Sequence, residues 1–307
     1  MRKVGGYAVA VLVAACALSA CSGNRAGNSS DGGGSPVGSP AVVASSDVWG
    51  SIAQSVAGPD ARVSSIVAGA ADPHSFEPGP VAVAEMSDAA LVVYNGGGYD
   101  SWAVDILEEH PGVASVEAFA LLDRAAVGEP EPANEHVFYE LNTAKAVAGR
   151  VADALAEADP DNAGGYRSRA AEFGRQADVI LERQRALRTA FPGAAVVATE
   201  PVAHYLLLAA GLRDRTPTGF TTAVEQDTDP APVDIAAMLD LITGRQVAAL
   251  VFNDQTGTGA TNQVREAADR TGIPVVAVTE TLPEGTDYLT WQAGLTDRLA
   301  AALRAAR

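Results

Sequence analysis

Short apolar runs alternate with amphipathic stretches through most of the chain, the pattern expected of strands alternating with helices. Ala41-Val42-Val43-Ala44-Ser45 predicts a buried strand, and Ser46-Asp47 is placed to cap a helix that begins near Val48-Trp49 and ends at Gly58-Pro59. Val63 to Val67 predicts a second strand, Val81 to Asp88 a short helix, and Ala90 to Tyr94 a third strand. Asn95-Gly96-Gly97-Gly98-Tyr99 then forms a glycine turn that opens a helix around Trp102 to Leu107, and Val113 to Phe119 predicts a fourth strand. The triple glycine lacks the G-x-G-x-x-G spacing of a dinucleotide site and reads as a tight turn beside a ligand crevice. This βαβα order predicts a parallel sheet with helices on both faces. A proline-rich acidic loop, Gly128 to Glu135, leads to His136 and a helix from about Asn142 to Ala158.

From Asp161 to Phe191 the positions Tyr166, Ala170, Phe173, Ala177, Ile180, Gln184, Leu187 and Phe191 recur every three or four residues, all apolar but Gln184. That spacing predicts one amphipathic helix, roughly 40–45 Å long and ended by Pro192-Gly193. A second α/β half follows. Ala195 to Thr199, Val247 to Phe252 and Pro274 to Thr279 are its strands, Asn253 to Thr261 is a turn-rich strand end, and Tyr288 to Ala306 is a closing amphipathic helix. The expected fold is thus α/β, with two parallel-sheet lobes (residues 41–160 and 192–307) joined by one long rigid helix (161–191) that permits only modest closure.

The N-terminus changes the picture from a free body to an anchored one. Met1-Arg2-Lys3 and the apolar run Val4 to Ala20 read as a signal peptide, ending in Leu18-Ser19-Ala20-Cys21. The last four residues resemble a bacterial lipobox, in which Cys21 becomes lipidated. Residues 1–21 are therefore expected to be a lipoprotein signal and 22–40, rich in Gly, Ser, Asn and Pro, a flexible tether. With Cys21 acylated, the mature chain has no cysteine pair, hence no internal disulfide and no thiolate metal site. The formal charge is −17; without Arg2 and Lys3 it is −19, from 38 acids and 19 bases. Such a surface argues against nucleic acid as a partner and favours a cation-attracting potential.

Candidate chemistry sits at strand and helix ends. His74 lies on the stiff loop Asp72-Pro73-His74-Ser75-Phe76-Glu77-Pro78, where a metal ligand, a catalytic base or a capping residue are all open roles. His136 precedes a helix, and Glu200 and Glu280 each follow a strand. Parallel sheets bind ligands beyond the carboxyl ends of their strands, and with two candidates from each half, the four are placed to converge between lobes. Two neutral imidazoles and two carboxylates would neutralise a divalent cation and fill a four-coordinate shell. His204, one helical turn past Glu200, is an alternative ligand or a helix-face residue, and His110 reads as inert surface.

The motifs Asp72-Pro73-His74-Ser75-Phe76-Glu77-Pro78, Leu91-Val92-Val93-Tyr94-Asn95-Gly96, His136-Val137-Phe138-Tyr139, Thr199-Glu200-Pro201 and Thr279-Glu280-Thr281 resemble those of the solute-binding proteins of zinc/manganese ABC importers. The resemblance extends over residues 41 to 307 and implies that His74, His136, Glu200 and Glu280 are the metal ligands, with Asp72 and Glu77 candidates to orient the first imidazole. It also implies a lipid-anchored, extracytoplasmic receptor on the cell membrane, a monomer that delivers its ion to an ABC permease and its ATPase. Imidazole suits zinc while two hard carboxylates move the preference toward manganese; zinc (Zn2+) is expected first as transported ligand for its higher intrinsic affinity for such sites, and manganese (Mn2+) second. Phe138, Glu140 and Leu141 stand where Trp, Asp and Pro are usual, and the histidine-rich loop of many zinc-specific members is missing. A secreted metal-dependent enzyme would need a general base beyond these ligands, and none is evident. An adhesin lipoprotein on the same fold is the other alternative.

Overall fold

β1 (Ala41–Ser46) lies inside a parallel sheet of order β2-β1-β3-β4, with β2 (Arg62–Val67), β3 (Leu91–Tyr94) and β4 (Ser115–Glu117) as its companions. Val42 is level with Val63 on one side and with Leu91 on the other. In the computed structural model the described residues are 38–69, 73, 76–128, 133–226 and 228–306, so the signal segment, Cys21, nearly all of the tether, Asp72 and His74 lie outside them. The helices of this half are α1 (Asp47–Ala57), α2 (Pro80–Ser87), α3 (Ser101–Glu109), a one-turn α4 (Arg124–Val127) and α5 (Leu141–Ala158). The long helix α6 spans Ala163–Ala190, 28 residues or about 42 Å.

The second sheet repeats the first sheet's order as β6-β5-β7-β8. Its strands are β5 (Ala195–Ala198), β6 (Arg213–Asp214), β7 (Ala249–Asn253) and β8 (Val275–Val278), linked through α7 (His204–Ala209), α8 (Thr218–Glu225), α9 (Pro232–Thr243) and α10 (Gly259–Thr271), and closed by α11 (Tyr288–Ala305). Every pairing is parallel, and in both sheets the chain reverses direction of growth beside the first strand of its half.

Side-chain alternation along the strands assembles three apolar clusters. Val42 and Ala44 of β1 face the same cluster as Val196 and Ala198 of β5, together with Trp49, Phe138, Tyr166, Phe173, Tyr288 and Leu299. The intervening residues point the other way, Val43 toward Met86 and Ile106, and Val197 toward Phe220 and Met238. Strands buried on both faces read as unbroken apolar runs, which is why the sequence pattern locates them. On α6 the buried face is Tyr166, Phe173, Ala177, Ile180, Leu181, Gln184 and Leu187, and the polar exception Gln184 donates to Thr296 Oγ1 of α11 at 3.4 Å.

Three departures from the sequence expectation have a local cause. β4 ends at Glu117 because Phe119 turns into a short 3-10 segment, its ring lying under the glycine turn where a Cβ on Gly97 would come within 2.6 Å of it. α10 begins at Gly259, inside the expected turn, because Thr258 and Thr261 form a reciprocal capping box with threonine in the usual Glu or Gln position. Ser46 occupies the N-cap position of α1 without a side-chain bond, and Asp47 is drawn elsewhere, as described below.

The turn after β3 rests on one carboxylate. Gly96, Gly97 and Gly98 all have positive φ, and the Asp100 oxygens accept from Asn95 N at 2.7 Å and Gly96 N at 2.8 Å. Burial pushes the Asp100 carboxyl above its ordinary value, with these bonds pulling it partly back. Asp100→Ala strips acceptors from two buried amides and is expected to destabilise the protein by roughly 2–4 kcal/mol, read from denaturant midpoints. The raised carboxyl also makes its own contribution to stability greatest below the ordinary carboxylate range and lost as pH rises through its folded-state value.

Candidate metal centre

β7 lies between β5 and β8, so the residue at its carboxyl end has a neighbour on either side. Ala198 pairs with Val251, which brings Glu200, two residues on, level with Asn253. Asn253 pairs with Val278, and Glu280 again lies two residues on. Strands about 4.8 Å apart let one side chain span both gaps. The Asn253 amide does so, donating to Glu200 Oε2 at 2.8 Å and to Glu280 Oε1 at 3.0 Å. Its own orientation is set by Gln255 N, which donates to Asn253 Oδ1 at 3.1 Å, while Asn253 N donates to Thr199 Oγ1. The Thr256 hydroxyl donates to the other Glu200 oxygen, Oε1.

His136 comes from the opposite half, at the residue before a 3-10 turn, Val137–Tyr139, that leads into α5. Glu140 caps α5 by accepting from Thr143 N at 2.6 Å, so this entry works with glutamate. The His136 Nε2 atom lies 3.7 Å from Glu280 Oε2. Its Nδ1 lies 3.1 Å from Asn134 Oδ1, which also accepts from His136 N at 2.9 Å. Asn134 Nδ2 donates across to Pro201 O at 3.2 Å, which fixes the amide oxygen toward the imidazole. Nδ1 is thus the ring atom that meets Asn134, and Nε2 is the one turned toward Glu280. Tyr99 and Phe138 stack edge-on against it.

These groups are out of water: Glu280 is 1% exposed, His136 3% and Glu200 9%. Two neighbouring carboxylates at that depth are costly unless a cation joins them. Burial is the first cause that pushes the Glu200 carboxyl up; the Glu280 charge adds to it, against the pull of Thr256, Asn253 and His136. The Tyr99 hydroxyl is held well above its usual range by burial and then by Glu280.

The structure thus brings together His136, Glu200 and Glu280. Among the described residues, however, no group of three or more His, Cys, Asp and Glu side chains is drawn tightly enough to hold a metal ion. His74 and Asp72 lie outside the described residues, Glu77 is exposed, and His204 opens α7, half-buried with Tyr205 edge-on to its ring. The donor types present, imidazole and carboxylate, suit a borderline or hard divalent cation. Asn253, Asn134, Thr256 and Tyr99 escaped the sequence reading; a polar residue closing the apolar run Ala249 to Phe252 was the one available sign.

A clamp between the halves lies beside this group. Asp47 accepts from Leu282 N at 3.0 Å with one oxygen and from Gly69 N at 3.2 Å with the other. The Gly69 carbonyl accepts from the Thr281 hydroxyl and, at 3.3 Å, from Gln255 Nε2. Tyr139 Oη donates to Thr279 O, Tyr205 Oη to Asn134 O and Tyr288 Oη to Phe138 O, all from one half to the other.

Two parallel α/β lobes on one long helix, with buried acids and an imidazole at their facing ends, define the class of metal-binding substrate-binding proteins of ABC transporters, carriers and not enzymes. The family model for the zinc-uptake complex component A, periplasmic (ZnuA), matches residues 42–302, and the chain belongs to that family. It is similar to the manganese-binding lipoprotein MntA of Halalkalibacterium halodurans, 27% identical over 173 residues, a match spanning 56% of either chain. It is also similar to the manganese ABC transporter substrate-binding lipoprotein PsaA of Streptococcus pneumoniae, 23% identical over 321 aligned positions that cover 99% of both. Among solved structures, a mutant of the laminin-binding adhesin Lmb of Streptococcus agalactiae superimposes with TM-score 0.72 at 24% identity, covering 86% of this chain and 99% of that one. The periplasmic zinc binding protein TroA of Treponema pallidum gives TM-score 0.70 at 18% identity, covering 88% and 99%. At these identities the structural likeness speaks for the fold.

Proposed function

We propose that the protein is an extracytoplasmic, high-affinity receptor that binds one divalent metal ion between its lobes and delivers it to an ABC permease and its ATPase. The ligands in this reading are His74, His136, Glu200 and Glu280, zinc is the preferred cargo and manganese the second, and a lipid on Cys21 anchors a monomer to the membrane. The observation that carries it is the buried pair Glu200 and Glu280, held side by side by one amide with His136 Nε2 turned toward them. A site built only for stability would not gather two desolvated carboxylates without a fixed cation. The adhesin alternative has the Lmb fold likeness behind it and no feature of this site.

Metal analysis of protein isolated without chelators, followed by zinc–manganese competition calorimetry, tests the reading. About one ion per chain and tighter zinc than manganese are expected; affinity for neither ion would overturn it. Because burial raises the Glu200 carboxyl, the metal-free protein keeps that proton to a higher pH than an ordinary glutamate does. Binding must expel it, so affinity should fall as pH drops through that raised value, and calorimetry in buffers of different ionisation enthalpy should show proton release growing toward lower pH.

A further inference from the structure

His136 belongs by sequence to the first half, yet the segment around it is fastened to the second. Residues 134–139 make five polar bonds to that half: Asn134 Nδ2 donates to Pro201 O and Tyr139 Oη to Thr279 O, while Asn134 O accepts from Tyr205 Oη and Phe138 O from Tyr288 Oη and Gln292 Nε2. Pro201 and Thr279 are the immediate chain neighbours of Glu200 and Glu280. The first half holds the same segment through Asn95 Nδ2, which donates to Glu135 O at 2.9 Å, and through the rings of Tyr99 and Trp49. The imidazole is therefore tied to the same strand ends that carry the two carboxylates.

Asn134 is where the aim of the ring and this fastening meet. Its Oδ1 accepts from His136 N at 2.9 Å and lies 3.1 Å from the ring Nδ1, with Nε2 turned toward Glu280. Its Nδ2 and its main-chain carbonyl make the bonds to Pro201 and Tyr205. A metal-binding imidazole is aimed by what its second nitrogen meets, and a ring already held in place need not be ordered when the ion binds. We propose that Asn134 is the positioning residue of His136. It aims the imidazole through Oδ1 and, with Tyr205, pins it to the second half, so that His136 stands assembled with Glu200 and Glu280 before an ion arrives. This rests on those three being ligands, as proposed above.

The test is titration of zinc chloride into the metal-free full chain against a competing chelator, with the visible absorption of the cobalt(II)-loaded protein as a reporter of donor geometry. Asn134 is half-buried in a loop, so its variants are expected to fold. Asn134→Ala is expected to weaken zinc by about tenfold or more and to shift the cobalt bands. Asn134→Asp returns an oxygen to the ring Nδ1 and should recover zinc affinity to within about threefold of wild type. Tyr205→Phe keeps the ring, removes the bond to Asn134 O and is expected to cost roughly threefold or more. Zinc affinity of Asn134→Ala within about threefold of wild type, or an Asn134→Asp variant no tighter than Asn134→Ala, would overturn the aiming role. Unchanged affinity in Tyr205→Phe would overturn the tie to the second half. Wild-type zinc affinity in His136→Ala would instead overturn the ligand reading itself.

Discussion

Glu280→Gln is expected to cut metal affinity by well over 100-fold while raising the melting temperature of the metal-free protein. Loss of partners that merely support a ligand costs about 10–100-fold, so loss of Glu280 as one of the proposed ligands exceeds that range. The opposite sign in stability comes from the same geometry. Glu280 is buried, shares the Asn253 amide with Glu200 and adds to the burial that raises its neighbour's carboxyl. A neutral amide of the same shape removes one desolvated charge and the repulsion between the pair. Stability–activity opposition of this kind is the mark of a binding group, since replacing a purely structural residue lowers stability. Calorimetry for zinc and manganese, with thermal melts in chelator, gives both readings. A variant that keeps wild-type affinity would remove Glu280 from the ligand set.

The largest expected effect on folding is at Tyr288. It is completely buried at the start of α11, stacked near Phe173 of α6 and Trp291, and its hydroxyl crosses to Phe138 O at 2.7 Å. Tyr288→Ala empties a ring-sized volume between α6, α11 and the turn that follows His136, and is expected to cost about 3–5 kcal/mol. Tyr288→Phe keeps the ring and loses the bond. The Phe138 carbonyl still accepts from Gln292 Nε2 at 3.2 Å, so that variant should lose only about 0.5–1.5 kcal/mol. Urea unfolding of the two variants side by side separates packing from hydrogen bonding; equal losses would show that the ring's packing contributes little.

Much of this architecture was legible in the sequence because the strands are buried on both faces. Ala41 to Ser45 and Val247 to Phe252 are continuous apolar runs, and the three-four spacing from Tyr166 to Leu187 marks α6 with its buried face. β6 was not legible: two exposed residues, Arg213 and Asp214, carry no periodicity. α8 and α9 also escaped, α9 because it opens on Pro232 after a proline-rich turn and buries few of its residues, Met238 and Ile242 among them. At the site, strand ends and the motifs Thr199-Glu200-Pro201 and Thr279-Glu280-Thr281 together pointed to Glu200 and Glu280, which the structure sets side by side. They could not reach Asn253, because asparagine is no usual metal ligand and its role arises only when β7 is seen to run between β5 and β8. Asp47 shows the same limit. Its place in the first helical turn suggested a cap, whereas its two oxygens are occupied by Gly69 and Leu282 from opposite halves of the chain.

The central apolar cluster draws β1 and β5, α5, α6 and α11 into one body. Pulling the lobes fully apart would expose Trp49, Phe138, Phe173 and Tyr288 together, at a cost of roughly 1.5–3 kcal/mol for each large side chain. That motion is partial denaturation, not the swing of a hinge. The two halves thus share one core, so neither is a domain that could be cut away and left folded.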